Sequence, residues 1–330
     1  MPTVQFTCPR CLLTEPLRPG MRFCPRCGLA DAKEAWLDTS PVEVAVGRRA
    51  YRVMDRIAVG SVCAVYRCRF EDGGREVEGV FKVARDVCSN ALVVNESAVL
   101  RKLHVIPHAG RFTPFLPHVA DTLGMADGGA GPARQANVLR MHDEIRSPDE
   151  LYTLAEVRAH YPDGLDPRHV AWIWRRLLTI LGFIHSNDVV HAAVLPMHVM
   201  IEPREHKLLL IDWCCAVASD AGGRPVRVIA SGYMPWYKRQ GALGKPPTAE
   251  LDIGLGARCM IELLGGDPVT GDCPPGIEPG LVRYFGRCLA IDPPVGPDAW
   301  RLLDDFDRLI EALWGRRRFM PLALPPKQRA

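Results

Sequence analysis

The order of hydrophobic and polar positions divides the chain into a β-rich part followed by a helical part. Over residues 51–83, short segments alternate apolar and polar residues or carry β-branched and aromatic residues, which is typical of strands. The letters EDGG at 71–74 predict a hairpin turn within this region. Residues 90–103 then repeat apolar positions at helical spacing, and strands are expected near 118–125 and at 137–141.

The pattern becomes helical in the second half of the chain. Asp166-Pro167 favours the start of a long amphipathic helix, because proline suits the first helical position. Short strands follow near 189–191, 198–201 and 208–212. In all, helices are expected over 151–161, 169–187, 251–264, 279–290 and 298–315. This order predicts an α+β fold with a small β-rich lobe and a larger helical lobe.

Composition places the chain among ordinary globular proteins. Its 330 residues are 48% hydrophobic and 24% charged, which allows about two domains with a sizeable core. The net charge of +3 is too small to argue for nucleic acid or a membrane surface. We find no apolar run of about 20 residues and no basic-then-apolar start, so we expect a cytoplasmic protein with reduced cysteines and no membrane partner.

Four of the 12 cysteines form a candidate metal site at the amino terminus. Cys8 and Cys11, then Cys24 and Cys27, are two CxxC pairs that can supply four thiolates to a tetrahedral site. Four sulfur ligands favour zinc, with iron as the main rival and a set of redox thiols as the alternative. A module of about 30 residues cannot bury a useful core, so the metal would supply its folding free energy. Its arginines would suit nucleic acid, but we favour a stabilising or protein-docking zinc ribbon.

Two further segments follow one another in the β-rich part of the chain. IAVGSVCAVY contains one glycine, Gly60. VFKVA carries Lys82, and Glu96 follows in the next predicted helix. In this order the segments resemble the glycine-rich loop, the phosphate-binding lysine and its glutamate partner in the protein kinase superfamily. In that resemblance Ala58 and Cys63 take the positions of the loop's other two glycines. The resemblance implies that Lys82 would meet the phosphates of ATP or ADP.

The segment HAAVLPMHVMI resembles the kinase catalytic loop, with its chemistry changed. His191 stands at the first position of the family's His-Arg-Asp, but Ala192 takes the arginine position and Ala193 replaces the expected aspartate base. Leu195 takes the position of a lysine, and His198 replaces the asparagine that helps hold magnesium. An alanine cannot accept the proton of a substrate hydroxyl, and such general-base assistance is worth about 10²–10⁴-fold in rate.

The later motifs extend the resemblance over roughly residues 50–313. LLLIDWCCA resembles the segment of the metal-binding aspartate, here Asp212, which would hold Mg²⁺ or Mn²⁺. In SGYMPWY, Trp236 stands where a glutamate is expected, and Gly296 stands at the position of its arginine partner. Asp252 matches a structural aspartate in a buried helix, which points to the protein-kinase branch.

The resemblance implies a bilobal protein-kinase-like fold preceded by the zinc ribbon. The expected organisation is a zinc ribbon at 1–30, a linker at 31–49, a protein-kinase-like domain at 50–315 and a basic, proline-rich tail at 316–330. Within the domain, the small lobe covers about 50–141 and the large lobe about 145–315.

Three functions remain open at this point. The first is a pseudokinase, a regulatory or scaffolding module with protein partners, which binds ATP or ADP or has lost that site too. The second is an unconventional serine/threonine kinase that uses Asp212 with His198 as another metal ligand, for which Asp188 and Glu202 are the only bases at hand. The third is a zinc-ribbon adaptor for nucleic acid or protein, with the kinase-like part as a scaffold.

Overall fold

The structure is a computed structural model, and it divides into two compact units. The first comprises Met1–Ser97 and Val119–Arg140, and the second comprises Ala98–His118 and Met141–Ala330. The structure describes residues 5–7, 14–16, 42–46, 49–125, 133–142, 145, 147–218, 228–290 and 298–327.

The first unit is built on a six-stranded sheet with the order β3-β4-β5-β6-β8-β7. Neighbouring strands from β3 to β8 pair antiparallel. The predicted turn at 71–74 joins β5 to β6, where Gly73 and Gly74 adopt positive φ angles that favour glycine. The strands are β3 (Val42–Val46), β4 (Arg49–Val59), β5 (Cys63–Asp72), β6 (Arg75–Ala84), β7 (His118–Met125) and β8 (Arg134–Arg140), and a separate hairpin pairs β1 (Gln5–Thr7) with β2 (Thr14–Pro16).

Alternate residues of these strands form the core of the first unit. In β5, Ala64, Tyr66, Cys68 and Phe70 are all buried, as the two-residue period of a strand requires when one face of the sheet is covered. The residues expected to form a linker contribute β3, because the alternating apolar positions at 42–46 pair with β4.

Helix α1 (Asn90–His104) is tied to strand β8 by its first residue. The Asn90 side chain donates a hydrogen bond to the carbonyl of Ala133 (2.9 Å) and accepts one from the amide of Gln135 (2.8 Å). One polar side chain thus sets the position of the helix start on the sheet.

The second unit is mainly helical. Asp166 caps α3 by accepting a hydrogen bond from the amide of Arg168 (2.7 Å), and Pro167 occupies the first position of the helix, as predicted. The helices are α2 (Leu154–His160), α3 (Pro167–His185), α4 (Met234–Arg239), α5 (Ala249–Leu263), α6 (Pro279–Leu289) and α7 (Ala299–Trp314). The strands are β9 (Tyr152–Thr153), β10 (Val189–Val190), β11 (Val199–Glu202), β12 (Lys207–Leu210) and β13 (Val217–Ala218).

Helices α3 and α5 form the centre of this unit. Most of their residues are buried, including Trp174 and Leu177 of α3 beside Gly256 of α5. No helix in the described part of the chain is long and apolar enough to cross a membrane.

Candidate functional site

The first unit contains a buried ion pair between Lys82 and Glu96. Strand β6 carries Lys82 and helix α1 carries Glu96, and the lysine Nζ lies 2.8 Å from Oε1 of the glutamate. The two side chains are only 8% and 1% exposed. An ion pair this far from water requires good geometry and further hydrogen bonds to offset the loss of hydration.

Asn137 supplies that further hydrogen bonding, and the sequence reasoning missed it. Its Nδ2 donates to Oε2 of Glu96 (3.0 Å) and to the carbonyl of Val93 (2.9 Å), so both carboxylate oxygens have a partner. Asn137 lies beside Lys82 in the sheet register. The available signal was an amide directly before the apolar pair Val138-Leu139, since a polar side chain buried among apolar residues is expected to be hydrogen-bonded.

Gly60 lies in a short turn between β4 and β5. The amide of Gly60 donates a hydrogen bond to the carbonyl of Cys63 (2.8 Å). The carbonyl of Gly60 accepts one from Nη1 of Arg85 (3.2 Å). A Cβ atom at this position would meet the Cys63 carbonyl oxygen at 3.6 Å, which is an ordinary contact. The turn itself therefore does not require a glycine.

In the second unit, Asp252 organises the segment that resembles a catalytic loop. One carboxylate oxygen accepts the amide of His191 and the other accepts the amide of Ala192, both at 2.7 Å. His185 Nε2 lies 3.0 Å from the same carboxylate. Ala192 holds a φ of 64°, a left-handed conformation that these two hydrogen bonds stabilise.

His191 is buried as a neutral imidazole. Its Nε2–H donates to the carbonyl of Ile211 (3.0 Å), its Nδ1 accepts from the amide of Ala193 (3.3 Å), and Trp213 packs against the ring at 4.6 Å between centroids. Burial lowers the pKa of His191 to about 4, against an opposing effect of Asp252. The ring acts as a structural link between the loop and residue 211.

His198 and Asp212 form the second polar pair of this unit. His198 Nδ1–H donates to the carbonyl of Ala193 (2.8 Å), and its Nε2 lies 3.1 Å from Oδ2 of Asp212. Asp212 has a φ of 62° at the start of a short turn. Ala193 and Leu195 are 6% and 1% exposed. The position expected to carry a catalytic base is therefore a buried alanine whose carbonyl is bonded to His198.

Each of the two units thus contains one pair of the predicted site residues. Lys82 and Glu96 are brought together in the first unit, and His198 and Asp212 are brought together in the second. The predicted zinc ligands lie outside the described residues; they are Cys8, Cys11, Cys24 and Cys27. Gly296 lies outside the described residues too.

Comparison with known proteins agrees with this architecture. The chain superposes on the crystal structure of the BubR1 kinase domain with a TM-score of 0.63 over 83% of this chain and 84% of that one, at 16% sequence identity. The fold is protein-kinase-like. No protein-family model matches the sequence.

Two curated kinases are similar to parts of this kinase-like chain. Cyclin-dependent kinase 15 of Homo sapiens is 30% identical over 148 residues, which are 41% of this chain and 33% of that protein. Casein kinase II subunit alpha' of Saccharomyces cerevisiae is 33% identical over 85 residues, 23% of this chain and 25% of that protein. The chain therefore spans only a third or less of these relatives, and the similarity does not carry their activities over to it.

Proposed function

We propose that this protein is a pseudokinase, a kinase-like module that regulates or scaffolds protein partners, in the cytoplasm, without efficient phosphoryl transfer. The observation that carries the proposal is Ala193 at the position of the catalytic base. Its methyl group cannot accept a proton, and its backbone carbonyl already accepts the Nδ1–H of His198. Loss of general-base assistance alone would lower the rate about 10²–10⁴-fold.

Of the two carboxylates considered as substitutes for the base, Glu202 is already engaged in a structural contact. Glu202 is buried, and its oxygens accept the amides of Arg204 (3.0 Å) and Glu205 (2.8 Å), so it caps the turn between β11 and β12. Asp188 lies in the turn before β10 with a φ of 57°. Its amide donates to the carbonyl of His185, which closes the end of α3.

The intact pair of Lys82 and Glu96 supports nucleotide binding as part of the proposal. A buried lysine held at 2.8 Å from a glutamate presents a fixed positive charge, and the family resemblance assigns that charge to the phosphates of ATP or ADP. The resemblance assigns Mg²⁺ or Mn²⁺ to Asp212. Because His198 replaces an oxygen ligand, this site suits magnesium less well than the usual one.

One observation favours the alternative of an unconventional, metal-dependent kinase. Donation of Nδ1–H to the Ala193 carbonyl leaves Nε2 as the ring atom that faces Asp212. This is how many metal-binding histidines are oriented by their surroundings. The same geometry also fits a ring with hydrogens on both nitrogens, in which Nε2–H donates to Asp212 and offers no lone pair to a metal ion. Binding of Mn²⁺ distinguishes these two states of His198. Zn²⁺ is not a suitable probe, because it would also bind to the predicted four-cysteine site.

The test is thermal melting of the full chain with ATP or ADP, with and without Mg²⁺ or Mn²⁺, beside a phosphoryl-transfer assay. A ligand that binds the native state raises the melting temperature by mass action. We expect a nucleotide-dependent shift that Lys82→Ala abolishes and that Lys207→Ala, a change in the surface pair with Glu205, retains.

The transfer assay decides between the two functions. Typical kinases turn over at about 1–100 s⁻¹, and we expect this chain to fall at least about 10²-fold below that range. Turnover within that range that needs Mn²⁺ and is lost in both Asp212→Ala and His198→Asn would overturn the pseudokinase proposal and establish the metal-dependent alternative.

A further inference from the structure

The carboxyl-terminal segment 316–327 has no helix or strand, yet it is held along the second unit by side chains that donate to its backbone. His206 Nε2–H donates to the carbonyl of Met320 (2.8 Å). The hydroxyl of Tyr161 donates to the carbonyl of Ala323 (2.6 Å), and the hydroxyl of Tyr152 donates to that of Pro325 (2.8 Å). We call the residues that hold the segment the tail groove: Tyr152, Glu156, Tyr161, Trp172 and His206.

Side-chain contacts differ between the two ends of the segment and so fix the direction in which it lies in the groove. The His206 ring is stacked between Trp172 (4.1 Å between centroids) and Phe319 (4.3 Å). At the other end, Lys327 Nζ lies 2.8 Å from Oε1 of Glu156 and 5.3 Å from the centroid of the Tyr152 ring. Between these ends, Leu322 is only 6% exposed. The segment thus has an aromatic end, an apolar anchor and a cationic end.

The chemistry of the groove is that of proline-rich peptide recognition. Proline has no backbone N–H, so the three prolines of FMPLALPP, residues 319–326, leave eight carbonyl acceptors beside five N–H donors. Aromatic grooves that donate hydrogen bonds to those carbonyls bind extended proline-rich peptides, whose restricted backbone loses little entropy on binding. Tyrosine hydroxyls 152 and 161 supply such donors, and Glu156 selects a cation that follows the prolines.

We propose that the tail groove is a recognition site for extended, proline-rich peptides of partner proteins, and that the chain's own tail is a tethered occupant which such a peptide displaces. The tail can exchange because most of the residues of segment 316–327 are exposed, Phe319 by 59%. Its contacts with the groove are three hydrogen bonds to backbone, one ion pair, one buried leucine and the two ring contacts of Phe319 and Lys327. The tail groove shares no residue with the pseudokinase proposal.

The direct test measures binding of the synthetic peptide RRRFMPLALPPKQRA, residues 316–330, to a chain that ends at Arg318. We expect the shortened chain to bind it, and the full chain to bind it about 10-fold or more weakly, because the tethered tail competes at an effective concentration near millimolar. In the shortened chain, Tyr152→Phe with Tyr161→Phe should weaken binding about 10-fold, since two hydrogen bonds are lost. Tyr233→Phe, at a tyrosine that packs on Trp236, is the matched control and should leave binding unchanged.

Two results overturn the proposal. One is a folded shortened chain that does not bind the peptide; the other is equal binding by the full and shortened chains. If the shortened chain does not fold, the full chain is used instead. Trypsin cleavage after Lys327 should then be accelerated by excess FMPLALPP, which contains no cleavage site, because the peptide displaces the tail. An unchanged cleavage rate at millimolar peptide also overturns the proposal.

Discussion

His198 places one ring nitrogen on a backbone carbonyl and the other 3.1 Å from a carboxylate. The ring of His198 thus links the loop Ala193–His198 to Asp212, which lies 14 positions after His198 in the sequence. In the kinase family an asparagine at this position would contribute an oxygen to magnesium. Here the residue at that position is a histidine whose Nε2 faces the carboxylate of Asp212.

The buried His191 makes the free energy of unfolding depend on pH, and this effect of a single residue can be measured. Its pKa is about 4 in the folded chain, against about 6.5 in an unfolded one. Between these values the unfolded chain binds a proton that the folded chain does not, so the free energy of unfolding decreases as the pH is lowered from about 6.5 to about 4. The full effect is about 3 kcal/mol.

The measurement is urea unfolding of the wild type and of His191→Gln at pH 7 and at pH 4. Glutamine stays neutral and can still reach the same backbone groups, while the neighbouring titratable groups, Asp252, His198 and Asp212, are common to both chains. The stability advantage of the wild type should therefore shrink by about 3 kcal/mol at the lower pH. A constant difference between the two chains would contradict the burial of a neutral imidazole.

Among the elements, α3 shows how glycine permits close packing. The Trp300 ring of α7 lies against Gly182, and a Cβ atom there would come within 2.6 Å of the ring. Trp300 is held in place by its Nε1–H, which donates to the hydroxyl of Ser186 (3.0 Å), so it cannot easily turn away. The contact between the two helices therefore depends on the missing methyl group.

Gly182→Ala should destabilise the protein by about 1–3 kcal/mol, because the added methyl group overpacks the contact with Trp300. Gly286 in α6 is the matched control, since a Cβ there has no atom within 4 Å. Gly286→Ala should stabilise the protein by about 0.5–1 kcal/mol through helix propensity. Both changes in the free energy of unfolding are measured by urea unfolding. If both substitutions changed the free energy of unfolding in the same direction, the packing described for α3 would be contradicted.

At the scale of the whole molecule, each of the two units has its own buried core. The first is organised around Tyr51 and Phe81, and the second around residues such as Trp174 and Phe285. The predicted zinc ribbon stands apart from both in its source of stability, because a segment of about 30 residues would rely on its metal.

We therefore expect about one zinc ion per chain by elemental analysis of the full protein. Cys11→Ser should lose the zinc while the far-UV circular dichroism of the helical unit is retained. Cys88, an exposed free thiol in the turn before α1, provides the control, and Cys88→Ser should keep the metal. A wild-type chain without zinc would show that the four cysteines serve another purpose.

Local sequence was sufficient for most elements. The helix expected at 90–103 is α1, and the turn at 71–74 joins β5 to β6, because periodicity, caps and glycines act between near neighbours. Short helix α4 was missed, since six residues give too little periodicity. The pseudokinase proposal also uses the residue types at positions 193 and 198, alanine and histidine, which are read directly from the sequence.

Contacts between distant residues were decided only by the tertiary structure. Asn137 and Glu96 are 41 positions apart, Ala192 and Asp252 are 60 apart, and Tyr161 and Ala323 are 162 apart. No local pattern records which distant group a polar side chain meets, because that depends on how the elements pack. The sequence by itself thus determined most of the elements and the residue identities on which the proposed function rests, while packing decided what His198 contacts and where the proline-rich tail lies.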